Sequence, residues 1–397
     1  MASSSIFNVP YPRNQFFTGR TKILTAIHDH LVLQAPPDFT AICALHGLGG
    51  VGKTQIAIEY AYQHQHYFDV VYWLRANDWN TLVTSFVEMT RQNDSTSIGI
   101  PKFDRELENV VIAEQVKRWF ESGISRQWLL ILDNADKIDE GEELHSVTEL
   151  VPKGRNGCIL VTSRSVSSER EMARVGVEVK EMEESEAVNF LVSCVRQEDT
   201  NSLRKDATKL VQILGYFPLA IKQAGAFIQS SQNSIVRYIS LYESIKSEAL
   251  RSGLPVSHKH YYRHTVATTW KMSFDEVGNQ NPRATVLLRL MGFLNGAKVP
   301  KELFEIGGRS LTDSSKCRLA GATRWKIEEA VISLLSYSLV RSIDSGESLN
   351  IHPLVQHVVF DYLNAEMIYG DWADLAVEIV CAAFPRDPSV GRNDSRF

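Results

Sequence analysis

The chain has 397 residues, 44% of them hydrophobic and 22% charged, with a formal net charge of −5. This describes a globular protein of roughly two to four domains with ample core, and the acidic balance gives no global pull toward nucleic acid or an anionic membrane. Cys43, Cys158, Cys194, Cys317 and Cys381 are scattered without C-x-x-C spacing and read as reduced thiols of a cytoplasmic protein. No apolar run approaches the ~18 residues of a membrane span, and the polar start is not a signal peptide.

In chain order, Ala41–Leu45 is a short apolar strand, Gly47-Leu-Gly-Gly-Val-Gly-Lys-Thr54 matches G-x-x-x-x-G-K-[ST], and Thr54–Ala61 leads out as a helix. Strand, glycine-rich loop and helix together are the context a phosphate loop requires. In such a loop Gly47, Gly49, Gly50, Val51 and Gly52 bring backbone N–H groups onto phosphate oxygens, and the helix start at Thr54 and Gln55 adds positive potential. Lys53 reaches the β- and γ-phosphates, and the Thr54 hydroxyl ligates Mg²⁺.

Asp69–Leu74 is expected to be a second strand, Leu82–Arg91 and Val110–Phe120 helices, and Asn93–Arg105 a loop. Trp128–Asp133 is an apolar strand closed by an acid, the Walker B arrangement, in which Asp133 holds Mg²⁺ through its water shell. A third strand, Cys158–Thr162, delivers Ser163 and Arg164 to the same sheet edge, where a guanidinium can sense or stabilise a γ-phosphate. Val175–Val179 is the last strand. The fold class is α/β: a parallel, doubly wound sheet from about Phe16 to Lys180, with ligands at the strands' C-terminal ends.

From Ser185 the pattern is helical, with segments Glu186–Val195, Leu203–Leu214, Leu219–Gln229 and Ser234–Leu250, and then an aperiodic linker at Leu254–His260. Helices Pro282–Phe293 and Arg324–Leu335, a two-strand hairpin of Ser338–Ile343 and Ser348–Ile351, and helix Leu354–Asn364 suggest a winged helix. Another helix begins at Gly370. The expected domains are an N-terminal tail (1–15), a P-loop domain (16–180), a helical domain (181–253), a linker (254–264), a winged-helix domain (265–365), and a C-terminal helix and tail (366–397) that could begin a repeat array.

This succession resembles the NB-ARC module of STAND-class P-loop ATPases, shared by apoptosis scaffolds, plant resistance proteins and fungal NOD-like receptors. Phe17-Thr18-Gly19-Arg20 is similar to the family's leading motif, whose backbone and arginine contact the nucleotide. Leu132–Asp136 resembles its Walker B and Thr162–Arg164 its sensor 1. The resemblance makes Lys53, Asp133 and Arg164 the catalytic set and Thr54 and Asp133 the metal ligands. Gly215–Ala220 resembles the Gly-Leu-Pro-Leu-Ala motif, whose proline, here Pro218, packs on the base. Ile351–Gln356 resembles the Met-His-Asp segment, whose histidine, here His352, bonds the ADP β-phosphate; His357 nearby has no assigned role.

Two departures bear on mechanism. Asn134 stands where many relatives carry a second acid, and Asn cannot accept a proton from attacking water, so hydrolysis is expected to be slow unless Asp136 substitutes. Pro353 replaces the family's Asp after His352, which weakens the expected lock on ADP. The leading motif has only about fifteen residues ahead of it, so an effector domain is not expected there. The resemblance implies an ATP/ADP-operated switch that closes on ADP, opens and forms homo-oligomers with ATP, and signals to an effector protein in innate immunity, self/non-self recognition or cell death. The alternative is an ATP-dependent DNA-binding protein, an origin-recognition-like ATPase or a transcription regulator using its winged helix. No strongly basic recognition helix supports it.

Overall fold

The structure, a computed structural model, describes residues 5–35, 38–91, 107–122, 127–136, 146–165, 168, 171–173, 175–251, 261–296, 298–310 and 323–383. The chain divides into two compact units, Met1–Met182 and Glu183–Phe397.

The first unit is built on six strands: β1 (Ile6–Asn8), β2 (Ala41–His46), β3 (Val70–Arg75), β4 (Trp128–Asp133), β5 (Gly157–Ser163) and β6 (Val175–Glu178). They pair in the order β1-β3-β4-β5-β2-β6, every pair parallel. Among the described residues, α-helices α1 (Thr21–His28), α2 (Lys53–His64), α3 (Trp79–Arg91) and α4 (Asn109–Glu121) accompany them. Every residue of β4 and β5 is buried. A parallel strand covered on both faces has no wet side, which is why these segments read as continuous apolar runs rather than alternating ones. Trp128 and Gly157 pair across β4 and β5, and a Cβ at Gly157 would run into the Trp128 ring, so glycine there makes room for the indole. The register Arg75↔Asp133 and His46↔Ser163 brings the C-terminal ends of β2, β3, β4 and β5 to one edge.

The second unit opens with α5 (Glu184–Val195), α6 (Asn201–Ile213), α7 (Pro218–Ser230) and α8 (Ile235–Arg251). The Thr200 side chain accepts the Leu203 N–H to cap α6, and Pro218 occupies the first turn of α7, where its missing N–H costs nothing. Then come α9 (Tyr261–Gln280), α10 (Pro282–Phe293), β7 (Val299–Pro300), α11 (Lys301–Ser310), α12 (Arg324–Ser336), β8 (Val340–Ile343), β9 (Ser348–Ile351), α13 (Pro353–Ala365) and α14 (Tyr369–Ala383). Strands β7, β9 and β8 form an antiparallel sheet in that order.

Several elements differ from expectation. Ile6–Asn8, placed in an N-terminal tail, is an edge strand whose Ile6 pairs with Val70. Helix α1 lies in a stretch the sequence left unassigned. The expected linker 254–264 lies outside the described residues as far as 260, and from Tyr261 the chain is already α9. The expected two-strand hairpin is a three-stranded sheet, because Val299 and Pro300 pair with Leu349 and Ser348. The expected loop 93–105 lies outside the described residues.

Candidate functional site

At the C-terminal edge of the first unit's sheet, β2 runs into the loop Gly47–Gly52, which needs glycine for its shape. Gly47, Gly50 and Gly52 have φ of 147°, 83° and 100°. A Cβ at Gly47 would also meet the carbonyl of Val179. Residues with side chains are strained in this part of conformational space, so the loop's curvature is specific to glycine.

Lys53 opens α2 and is 8% exposed. Its ammonium donates to the carbonyls of Gly47 (2.7 Å) and Leu48 (2.9 Å), folding back across the loop it follows. Burial lowers its pKa to about 8, against the pull of Asp136 and Asp133 and with a push from Arg164. The buried ammonium makes no ion pair within the described residues closer than these carbonyl contacts, so an anion delivered to the loop would satisfy it better than neutral carbonyls do.

Thr54 donates its hydroxyl to Asp133 Oδ1 at 2.9 Å, and Thr162 donates to the same oxygen at 2.6 Å. Asp133 is 4% exposed; burial pushes its carboxyl above the usual range, and the hydrogen bonds from Thr162 and Thr54 oppose that push. The Thr54 hydroxyl and Asp133 carboxylate make a hard-oxygen pair that suits Mg²⁺, an ion held by one or two carboxylates together with phosphate and water rather than by a protein cage. Among the described residues no group of three or more His, Cys, Asp or Glu side chains could hold a metal. The residues present therefore fit a magnesium nucleotide: the loop and Lys53 for phosphate, Thr54 and Asp133 for the cation.

The sequence's other assignments are placed as follows. Arg20, at φ 62 before α1, is 8% exposed and donates to the carbonyls of Val51 (3.2 Å) and Glu181 (3.1 Å), so it braces the phosphate loop from behind. Gly19 precedes it at φ 69, and the Thr18 hydroxyl closes a local turn onto the Phe16 carbonyl. The Gln55 side chain accepts from Asn14 at 2.9 Å, tying α2 to the segment before the leading motif. Gly49 lies in the loop turn. Arg164 follows β5 and is gripped by Asp136, which accepts from Arg164 Nε at 2.6 Å and from the Arg164 backbone N–H at 2.6 Å. The sequence offered Asp136 as a substitute base, yet both its oxygens are occupied by Arg164.

Pro218 and His352 belong to the second unit. His352 sits between β9 and α13, its carbonyl accepting the Gln356 N–H at 3.0 Å as the helix starts. Pro353, the departure from the family pattern, is the first residue of α13, a place where its fixed φ suits a helix. Sequence reasoning missed Gln356. Its side-chain nitrogen lies 2.7 Å from the Leu294 carbonyl and 3.1 Å from those of Met291 and Gly292, fastening α13 to the end of α10. A second polar residue closing the Ile351–Gln356 motif was the available signal.

Residues 20–201 match the NB-ARC domain, and residues 275–368 match a domain of unknown function, DUF7779. A nucleotide-binding leucine-rich repeat (NLR)-like protein of Hyaloscypha variabilis is 28% identical over 410 aligned positions, covering 98% of this chain and 39% of the relative. The regulatory protein AfsR of Streptomyces griseus is 26% identical over 71% of this chain and 27% of its own length. A solved Signal Transduction ATPase with Numerous Domains (STAND) protein with a tetratricopeptide repeat sensor, from Pyrococcus horikoshii, shares the fold at a TM-score of 0.53 and 14% identity, over 92% of this chain and 46% of that one. The chain thus spans less than half the length of each of these relatives. With a phosphate loop, a strand-end acid and five of the sheet's six parallel strands inside the matched region, residues 20–201 carry an NB-ARC domain, and the chain shares the fold of the solved STAND protein.

Proposed function

We propose that the chain is an ATP/ADP-operated switch. The observation that carries this is the convergence of Lys53, Thr54, Asp133 and Arg164 at one sheet edge, each held by a hydrogen bond to a neighbouring element or to the loop itself. In this reading the backbone of Gly47, Gly49, Gly50, Val51, Gly52, Thr54 and Gln55 binds phosphates, Thr18, Gly19 and Arg20 border the nucleotide, Thr54 and Asp133 hold Mg²⁺, and Arg164 contacts a γ-phosphate. Bound Mg²⁺ would supply charge neutralisation for the phosphates. Hydrolysis is at most slow, since Asn134 is no base and Asp136 is engaged.

The proposal extends to the second unit. Pro218 and His352 contact ADP in a closed state, and exchange for ATP releases them and lets copies of the chain assemble. A ligand moves such an equilibrium only through its different contacts in the two states. The segments 181–253 and 265–365 then act as helical and winged-helix domains, with 366–397 leading toward whatever follows in the longer relatives. Likeness to a fungal NLR-like protein supports signalling in immunity or self/non-self recognition through an effector protein in the cytoplasm. The DNA-binding alternative is supported less well: α12, the helix before the hairpin, exposes the basic Arg324 and Lys326 together with Trp325, Glu329 and Ile332, and Arg324 lies near Glu305 and Glu347.

His352→Ala tests the switch. A hydrogen bond to a charged phosphate contributes about 1.5–3 kcal/mol, so its loss should speed release of a fluorescent ADP analogue by about tenfold or more in stopped flow. With ATP, light scattering should then show larger assemblies. His357→Ala should change neither, and unchanged release in His352→Ala would remove the second unit from nucleotide control.

A further inference from the structure

Arg164 is half exposed, its side chain showing 50% of its surface, so packing does not hold it. One residue does. Asp136, 19% exposed, takes the Nε–H on Oδ2 and the backbone N–H on Oδ1, both at 2.6 Å, with the Ser163 hydroxyl at 3.4 Å from Oδ1. Among the described residues nothing accepts from the two terminal amino groups of Arg164. Asp136 thus uses the Nε edge of the guanidinium and leaves the forked end open, and that end is the one that binds two phosphate oxygens at once. Asp136 is itself fixed: its backbone N–H donates to the Asn134 carbonyl at 2.8 Å, in the turn that follows Asp133. The aim of Arg164 is therefore referenced to the strand end carrying the Walker B acid.

We propose that Asp136 is the positioning residue that makes Arg164 discriminate nucleoside triphosphate from diphosphate, by holding the guanidinium with its forked end presented to a terminal phosphate. This rests on the nucleotide-switch reading of the same site. Without Asp136 the arginine would spread over its rotamers, and ordering it on the γ-phosphate would cost free energy that the parent has already spent in folding. Diphosphate, lacking that group, would not sense the difference.

Charge alone predicts the opposite sign. Asp136 is negative and acts on Lys53 together with Asp133 and Arg164. Removing that charge should strengthen binding of any polyphosphate, and of the more highly charged triphosphate most. Positioning predicts that the preference for triphosphate falls.

The test uses the full chain and compares affinities for ADP and a non-hydrolysable ATP analogue, with Mg²⁺, in the parent, Asp136→Asn, Arg164→Ala and the double variant. Asp136→Asn keeps the shape of the side chain but leaves one acceptor oxygen for two donors, the Arg164 Nε–H and the Arg164 backbone N–H, so one of the two contacts is lost. Expected is a roughly tenfold fall in the analogue-to-ADP affinity ratio in each single variant and no further fall in the double variant, with ADP binding itself retained as proof of a folded site. A ratio that rises in Asp136→Asn, or losses that add in the double variant, would overturn the positioning role while leaving the switch intact. A ratio unchanged in Arg164→Ala would overturn it together with the assignment of Arg164 to the γ-phosphate. Loss of ADP binding in the parent would instead sink the underlying reading.

Discussion

At the residue scale, Lys53 makes nucleotide binding depend on pH. Burial holds its pKa at about 8, below the ordinary 10.5, and a bound phosphate would raise it again. Binding near pH 8.5 should therefore take up protons, and affinity should decline as pH rises above about 8. Calorimetry in two buffers of different ionisation enthalpy would show this as a buffer-dependent binding heat; equal heats would mean that Lys53 does not change its proton on binding. Asn134 is a second case. The sequence marked it as a missing base, but its backbone lies at φ 62, a region asparagine tolerates, and its side-chain nitrogen is 3.5 Å from Asp133 Oδ2. It keeps a donor beside a carboxyl that burial already pushes up. Asn134→Asp should cost about 1–3 kcal/mol of stability in chelator, with Mg²⁺ restoring most of it. Thermal unfolding with and without Mg²⁺ decides: an equal loss in both conditions would point to the backbone alone.

At the element scale, α1 and α2 meet through stacked imidazoles, His28 and His64, whose ring centroids are 4.3 Å apart. Burial, with His28 and His66 adding to it, lowers the His64 pKa to about 4. The folded state then binds fewer protons than the unfolded chain between about pH 4 and the ordinary 6.5, so stability present above 6.5 is lost as pH falls toward 4. His64→Phe should flatten this acid limb of the unfolding midpoint, and an unchanged limb would place the acid sensitivity elsewhere. Gly157→Ala should cost about 1–3 kcal/mol in denaturant unfolding by overpacking the Trp128 ring. The sheet and most helices were legible because buried parallel strands and amphipathic helices write themselves as runs and periods. What escaped has particular reasons. Three residues of β1 are too few to show a period. Helix α9 buries polar Thr269 and Ser273 among Trp270, Met272 and Phe274, with Thr269 donating to the buried Gln223 of α7 at 3.0 Å, so its inner face does not look apolar. In α11, Gly307 and Gly308 look like helix breakers; a Cβ at Gly307 would run into Ile379 of α14, so that glycine permits close packing. The motif residues of the site were legible because phosphate chemistry restricts them. The Asp136–Arg164 grip and the Arg20 brace were not, because they join segments 28 and 31 residues apart by contacts no local pattern records.

At the scale of the whole molecule, the NB-ARC match at 20–201 runs past the end of the first unit at Met182, and the DUF7779 match covers the second unit's later helices and small sheet. The proposed switch makes both units answer to one nucleotide, and it works only if that nucleotide is held. The most direct measurement is to purify the chain, denature it, and identify what is released by ion-exchange chromatography, beside Lys53→Ala with its fold checked by circular dichroism. Stoichiometric ADP is expected from the parent and none from Lys53→Ala. Equal ADP in both, or an empty site in the parent that binds no added nucleotide, would contradict it.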